Sequence, residues 1–336
     1  MQSKIFSAIK YLFTLVIATA LLWYAFKDIS FKEMFNKLGE VKFGWVYLSI
    51  FLSVFSHVLR AYRWNILLRP LNYHVELSRS FWAVMVGYLA NLAFPRMGEV
   101  TKCGVLKKTD GVKMSASMGT VVTERIFDVL SLLLIMGLTF LIEFNRLSEF
   151  FINLYSSKVP GNASINIGLL IAVGIIALLG IALIALFWKK ISSTSLYQNA
   201  FNLMMQFKDG LLSIRRIDNI PGFILSSLGI WFLYYLMSYI IVFSIPETSD
   251  LNWIAGMAIL VVGGIAMSAP VQGGIGTYHV LVAALLTLYG IEQSTGVFFA
   301  TLLHTSQTLS VMFFGGLSLV IITFINKRKL QVNETT

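Results

Sequence analysis

Six apolar runs, at about 8–26, 43–62, 117–142, 165–188, 222–245 and 295–325, approach or exceed the roughly twenty residues a helix needs to cross bilayer hydrocarbon. There every backbone N–H and C=O must find its partner within the protein, and for runs of this kind that means helices. The sequence therefore predicts an all-α polytopic membrane protein with about six transmembrane helices. Composition agrees: 57% of the 336 residues are hydrophobic and 12% charged, and mean hydropathy is +0.77. That is more apolar surface than one soluble core of this length buries. Lys4 and Lys10 ahead of the first run have the look of a signal peptide, but before so many further spans the run is read as an uncleaved first helix.

Two more apolar stretches are interrupted by helix breakers. One, 80–106, is broken at Pro95 and Gly98; the other, 253–290, is broken at Pro270 with Gly273, Gly274 and Gly276 close behind. Proline removes a backbone donor, and unwound backbone at membrane depth is tolerated only where protein or water satisfies it. Both stretches are expected to form re-entrant, broken helical hairpins. The 26 lysines and arginines favour this: with a cytoplasmic N-terminus, 17 fall inside and 6 outside, while Arg96, Lys102 and Arg125 lie at depth. Counting 80–106 as a full span instead sends Lys107, Lys108, Lys113, the basic residues of 189–216 and the Lys327-Arg328-Lys329 cluster outside.

The hairpin arrangement divides one integral membrane domain, 1–336, into halves at about 1–145 and 163–326 with inverted topology, leaving a cytoplasmic tail at 327–336. Phe94–Gly98 and Ala269–Gly273 share a Pro-x-x-Gly spacing. Broken segments at corresponding places of inverted halves point to a binding site near the midplane. The connection 189–221 is expected to lie on the membrane surface, with Arg215 and Arg216 near anionic lipid. The sequon Asn162-Ala163-Ser164 in the outer loop 143–164 is read as chance.

Charge inside apolar sequence marks the candidate site. Arg96, Glu99, Lys102, Glu124, Arg125 and Asp128 all fall between Asn91 and Asp128, where an ionised side chain at bilayer depth is costly unless paired or hydrated. The sharper reading is a polar cavity; the plainer one is an ion-pair network that only locks helices together. Spacings of three and four bring Arg125 and Glu124 towards Asp128, which suggests one arginine among two acids and a surplus carboxylate. Arg96 offers a planar fork for a lipid phosphate, and Gly273, Gly274 and Gly276 offer backbone N–H groups as an anion nest where a helix begins at Thr277. Arg60 and Arg63, one turn apart beside Tyr62 and Trp64 at the end of the second span, are read as headgroup anchors or, alternatively, a lipid entrance. His279, His304 and Gln307 supply polar groups to the second half.

Other chemistries lack their residues. The net charge of +10 sits in short loops between apolar runs, so nucleic acid is not expected as a partner. A single cysteine, Cys103, forms no internal disulfide, and His57, His74, His279 and His304 show no ligand spacing; no metal or cofactor is expected. No nucleophile elbow or phosphate-binding loop appears, and no enzymatic activity is expected.

In order, Asn91-Leu92-x-x-Pro95-x-x-Gly98-Glu99-x-x-Lys102, Thr120-Val121-Val122-Thr123-Glu124-Arg125-x-x-Asp128 and Pro270-x-x-Gly273-Gly274-x-Gly276 resemble the flippase-like family, also described as the transmembrane region of lysylphosphatidylglycerol synthases. The resemblance covers nearly the whole chain. It implies an integral inner-membrane protein that moves or binds an anionic or aminoacylated phospholipid, with Pro95, Gly98, Glu99, Glu124, Arg125, Asp128, Gly273, Gly274 and Gly276 at matching positions. Two departures stand out. His279 occupies a place where family members often carry an acid, and the chain closes at Thr336, where full synthases continue into a soluble aminoacyl-transferase domain. Synthase activity is therefore not expected.

The resulting expectation is a phospholipid translocase of the cell inner membrane with both termini cytoplasmic. Its substrate-binding residues would be Arg96, Glu99, Lys102, Glu124, Arg125, Asp128, Gly273, Gly274, Gly276 and His279, its partner a membrane phospholipid, and a lipid-modifying enzyme a further candidate partner. The alternatives are a secondary transporter of a small polar anion and a non-transporting subunit assisting a lipid-linked glycosyltransferase.

Overall fold

A computed structural model of the chain describes residues 19–26, 31–94, 96–144, 217–269 and 271–334, with positions 16, 146 and 198. Nearly all of them belong to one compact unit formed by 1–142 and 216–336. A second unit, 143–215, is almost wholly outside the described residues. With it go the expected span 165–188, the sequon and most of the surface connection; Lys4, Lys10, Pro95, Pro270, Arg215 and Arg216 also lie outside.

Every regular element among the described residues is helical. In chain order these are α1 Phe31–Leu38, α2 Phe43–Leu68, α3 Leu77–Ala93, α4 Gly98–Asp110, α5 Met114–Ile142, α6 Ile220–Tyr239, α7 Trp253–Ser268, α8 Thr277–Thr287 and α9 Gln293–Glu334. Four segments are long and apolar enough to cross a membrane: Phe43–Leu71, Met114–Ile142, Ile220–Ser244 and Gln293–Ile325. These are four of the six expected spans. Of the first, only part is described, and residues 19–26 are helical.

Local chemistry sets the helix ends. Asn219 and Asn252 precede α6 and α7 and accept N–H bonds from Gly222 (2.9 Å) and Ala255 (3.0 Å), replacing the partners a first turn lacks. After α2 the chain turns at Pro70, and after α4 it turns at Gly111, whose φ of 72° suits a residue without Cβ.

Both interrupted stretches break where the sequence predicts. α3 stops at Ala93 and α4 starts at Gly98, and between them Arg96 takes φ 66°, rare for a side chain of this size. The Oδ1 of Asn91 receives the Gly98 N–H at 2.7 Å, tying the end of one helix to the start of the next. Small residues then let the two helices lie against each other. A methyl group on Gly87 would stand 2.8 Å from the Gly98 carbonyl oxygen, and one on Gly98 would run into that of Gly87. At the far end Arg79 Nε pairs with Asp110 Oδ1 at 3.2 Å, so α3 begins and α4 ends side by side. In the second stretch α7 turns through Gln272–Gly274 into α8, with Gly273, Gly274 and Gly276 at φ 56°, 70° and 84°. Thr277 closes this turn by donating to Gly274 O (2.9 Å) and Ala266 O (3.1 Å).

The two turns meet. A methyl on Gly273 would lie 3.3 Å from Leu92 Cδ2 at the end of α3, and His304 Nε2 of α9 is 2.7 Å from Gly273 O. α2, about 39 Å long at 1.5 Å per residue, separates two ends. At one, Lys37 Nζ joins Glu247 Oε1 (2.9 Å) and Thr295 Oγ1 (2.6 Å), and the Lys42 N–H binds Ser244 O (2.9 Å). At the other, Asn65 binds Val75 O (2.9 Å) and Ser80 Oγ (2.5 Å), close to the Arg79–Asp110 end. The first interrupted stretch thus starts and finishes at the Asn65 end, while the segments flanking the second are held together at the Lys37 end.

Polarity is turned outside in. Tyr47 (67%), Phe51 (66%), Leu141 (72%) and Phe313 (67%) are exposed, while Arg63 is 0% and Glu124 1% exposed. A surface of large apolar side chains over buried charge matches a lipid surround rather than water.

Candidate functional site

The inward charges converge from three helices, with polar support from a fourth. α2 carries Arg60 and Arg63, α4 carries Glu99 and Lys102, and α5 carries Glu124, Arg125 and Asp128. α6 contributes Ser227 and Tyr234. Asp128 is the hub: its Oδ2 accepts from Arg60 Nη2 at 3.0 Å and its Oδ1 from Arg63 Nη2 at 2.7 Å. Arg60 Nε also donates to the Tyr234 hydroxyl (2.5 Å), and Arg63 Nη1 to Ser227 Oγ (3.2 Å). Lys102 Nζ donates to Glu124 Oε2 at 2.5 Å and stands 4.2 Å from the centre of the Trp64 ring, whose indole N–H is held by Thr120 Oγ1 at 2.9 Å. The other Glu124 oxygen, Oε1, has no hydrogen bond and lies 4.0 Å from Arg63 Nη2.

Arg125 occupies the margin of this cluster. Its side chain is 47% exposed, and it pairs with Glu99 Oε1 at 3.3 Å and more distantly with Asp128 Oδ2 at 3.9 Å. An open cleft adjoins these groups, lined by the charges Arg60, Glu99, Lys102, Glu124 and Arg125 with Val84, Gly87, Tyr88, Asn91 and Gly98. Gly87 and Gly98, where α3 and α4 meet, are part of its lining. The same glycine contact that closes the helix pair therefore brings Glu99 and Lys102 against α5.

Several expectations change. Arg60 and Arg63 are not exposed at the end of a helix: α2 continues to Leu68, and both arginines are buried against Asp128, since two buried guanidinium groups need a carboxylate. Nor is the surplus charge acidic. Arg60, Arg63, Lys102 and Arg125 oppose Glu99, Glu124 and Asp128, leaving one cation in excess. Arg96 is exposed, does not line the cleft, and makes no hydrogen bond or ion pair among the described residues.

Two of the three glycine N–H groups expected to form an anion nest are engaged within the turn. The N–H groups of Gly274 and Ile275 bond to Val271 O (3.3 Å) and Gln272 O (3.0 Å), and that of Gly276 is directed at His279 Nδ1 (3.4 Å). Three donors are thus already engaged, and none of these glycines lines the cleft. His279 lies in a ring cluster with Tyr278, His304 and Phe26, apart from the carboxylates: its ring centre is 5.2 Å from that of His304 and 5.8 Å from that of Phe26. Gln307 shares a helix face with His304 and donates to Ser49 Oγ at 3.0 Å.

Sequence reasoning missed Tyr88, Tyr234, Ser227 and Trp64 as members or supports of the site. Each is a common residue on an apolar helix, and only the packing of α2 against α3, α5 and α6 reveals its partner. No metal-binding group of three or more His, Cys, Asp or Glu side chains occurs among the described residues.

Long apolar helices with charge gathered inside define a multi-pass helical membrane protein. The chain belongs to the lysylphosphatidylglycerol synthase TM region family, whose model matches residues 11–315. It is 22% identical to glycosyltransferase AglD of Haloferax volcanii over 84% of this chain and 50% of that protein, and so spans about half the length of that relative. It is 24% identical to UPF0104 membrane protein PH1989 of Pyrococcus horikoshii over 86% of this chain and 90% of that protein. No solved structure matches the chain.

Proposed function

We propose that the protein is a phospholipid translocase of the inner membrane, a carrier rather than an enzyme, in which the cleft beside Arg60, Lys102 and Arg125 receives a phosphate-bearing headgroup while the acyl chains remain in the bilayer. One observation carries this reading: three cationic side chains line an open cleft inside a helical membrane protein. Charge-assisted bonds from arginine and lysine are the strong contacts to phosphate oxygens, and they gain weight where water is scarce. The plainer reading, a network that only locks helices, accounts for Asp128 and Arg63. It leaves the half-exposed Arg125–Glu99 pair at the mouth of a cleft without a purpose.

In this reading the two broken stretches are re-entrant hairpins in an inverted repeat, entering from opposite faces and meeting at Gly273 and Leu92. Both termini are cytoplasmic. Single-cysteine labels at Lys108 and at Glu247, in a Cys103→Ser background, then react from opposite sides of the membrane; reaction from the same side excludes the arrangement.

The function is tested by headgroup transfer of a labelled phospholipid in liposomes. Wild-type protein accelerates transfer, Arg125→Gln lowers the rate about tenfold or more through loss of a charged hydrogen bond, and Lys37→Gln at the far end leaves it unchanged. Equal rates for Arg125→Gln and wild type would end the proposal. A second reading has one observation in its favour: similarity to half of a protein named as a glycosyltransferase. On that reading the chain presents a lipid-linked sugar phosphate to a transferase, and the purified protein moves no lipid.

A further inference from the structure

The charge balance of the cleft narrows what can enter it. Asp128 has both oxygens bonded by Arg60 and Arg63, and Glu124 has Lys102 on Oε2. Glu124 Oε1 accepts no hydrogen bond, yet it faces Arg63 Nη2 at 4.0 Å, so the field of that oxygen is already opposed. Glu99 is held by Arg125 at 3.3 Å. Every carboxylate of the cluster therefore has at least one fixed cation beside it.

Donors, by contrast, are left over. Arg60 uses Nε and Nη2 but makes no hydrogen bond through Nη1 among the described residues. Lys102 commits one of its three ammonium protons to Glu124, and its other close neighbour is the Trp64 ring. Asn91 spends its Oδ1 on Gly98 and keeps its amide protons. Arg60, Lys102 and Asn91 all line the cleft. Four cations stand against three carboxylates, an excess that a single negative charge would neutralise.

We infer that the headgroup this cleft accepts is a phosphodiester monoanion bearing no ammonium group, so that an anionic phospholipid enters and an aminoacylated or zwitterionic one is rejected. This deepens the translocase reading and rests on it for the lipid nature of the ligand. The two non-bridging phosphate oxygens meet the free donors of Arg60, Lys102 and Asn91, and their charge cancels the excess. An ammonium group on the same headgroup would need a carboxylate without a partner. If Glu99 swung away from Arg125 to receive it, Arg125 would be freed in turn and the sum would not change. A lysylated headgroup adds two positive charges to its phosphate and arrives at a site that is already positive, a repulsion that acts at close range in a medium of low dielectric.

The test is competition in phosphatidylcholine vesicles doped equally with phosphatidylglycerol, phosphatidylethanolamine and lysyl-phosphatidylglycerol, with the lipid retained by the full chain read by mass spectrometry. Phosphatidylglycerol should be retained over each of the other two by about tenfold or more. Two partly exposed positions, Arg125 and Glu99, tune the balance while the hydrogen bonds of Asp128 to Arg60 and Arg63 and of Glu124 to Lys102 stay in place. Arg125→Gln brings the sum to zero and should bring the preference for phosphatidylglycerol over phosphatidylethanolamine close to unity. Glu99→Gln raises the sum by one and should favour phosphatidic acid, a phosphomonoester of higher charge, over phosphatidylglycerol. Retention of lysyl-phosphatidylglycerol at or above that of phosphatidylglycerol, or preferences that ignore both substitutions, would overturn the inference. So would displacement of the lipid by soluble glycerophosphoglycerol at equal concentration, since the ligand would then be a free anion. The outcome is separable from translocation: selective retention without flux keeps the assigned headgroup and removes transport, whereas flux of all three lipids alike keeps transport and removes the selectivity.

Discussion

Asp128→Asn is expected to lower stability by about 3–5 kcal/mol, the range for stripping one partner from a buried ion pair. Asp128 is 7% exposed, and its two oxygens hold Arg60 at 3.0 Å and Arg63 at 2.7 Å. Asparagine keeps the shape but turns one acceptor into a donor facing a guanidinium, and it leaves three buried cations against Glu124 alone. Neither arginine can shed its proton to relieve this. Glu124→Gln is a smaller loss for that reason, because its nearest partner, Lys102, can lose its charge when buried. Thermal unfolding of the two variants in the same detergent checks the order. A Glu124→Gln protein that melts below Asp128→Asn would contradict Asp128 as the hub. The sequence alone suggested one arginine between Glu124 and Asp128 with a carboxylate to spare, whereas two arginines from α2 hold Asp128.

Arg63→Ala should cost about 2–5 kcal/mol, by analogy with other large buried side chains cut back to alanine. Arg63 is fully buried, bonds Asp128 and Ser227, and packs its guanidinium 5.9 Å from the centre of the Phe223 ring. Yet the charges that remain pair one to one, Arg60 with Asp128 and Lys102 with Glu124. Arg63→Met, which keeps most of the volume, should therefore recover a large part of the loss, since a packed apolar residue can replace a buried charge when no partner is stranded. If methionine is as damaging as alanine, the cost lies in charge rather than volume, and this pairing is wrong.

The sequence showed where the helices run and break because those signals are local. Apolar runs set the spans, while Pro-x-x-Gly spacing and glycines marked the breaks between Ala93 and Gly98 and between Ser268 and Thr277, where Arg96, Gly273, Gly274 and Gly276 take positive φ. Of the charges clustered between Asn91 and Asp128, Glu99, Lys102, Glu124, Arg125 and Asp128 do gather in space. The partners of those charges were not legible. Arg60 and Arg63 sit beside Tyr62 and Trp64 in a pattern that also fits a membrane-interface anchor, and only the length of α2, which carries them inward past that expected end, distinguishes the two. Counting Arg125 against Glu124 and Asp128 on one helix gave a surplus acid. Two arginines from another helix reverse the sign. Arg96, first read as the fork for a phosphate, is exposed at the turn and does not line the cleft, so the proposed function rests on the cations that do.

Native mass spectrometry of the protein purified from membranes tests the central claim, that the charged cleft holds a phosphate-bearing lipid, most directly. The wild-type chain should carry one phosphate-bearing lipid through detergent exchange, and Arg125→Gln, folded and purified alike, should carry clearly less of it. A wild-type protein that emerges without lipid, or a variant that keeps the same lipid in the same amount, would mean that the cluster binds only itself.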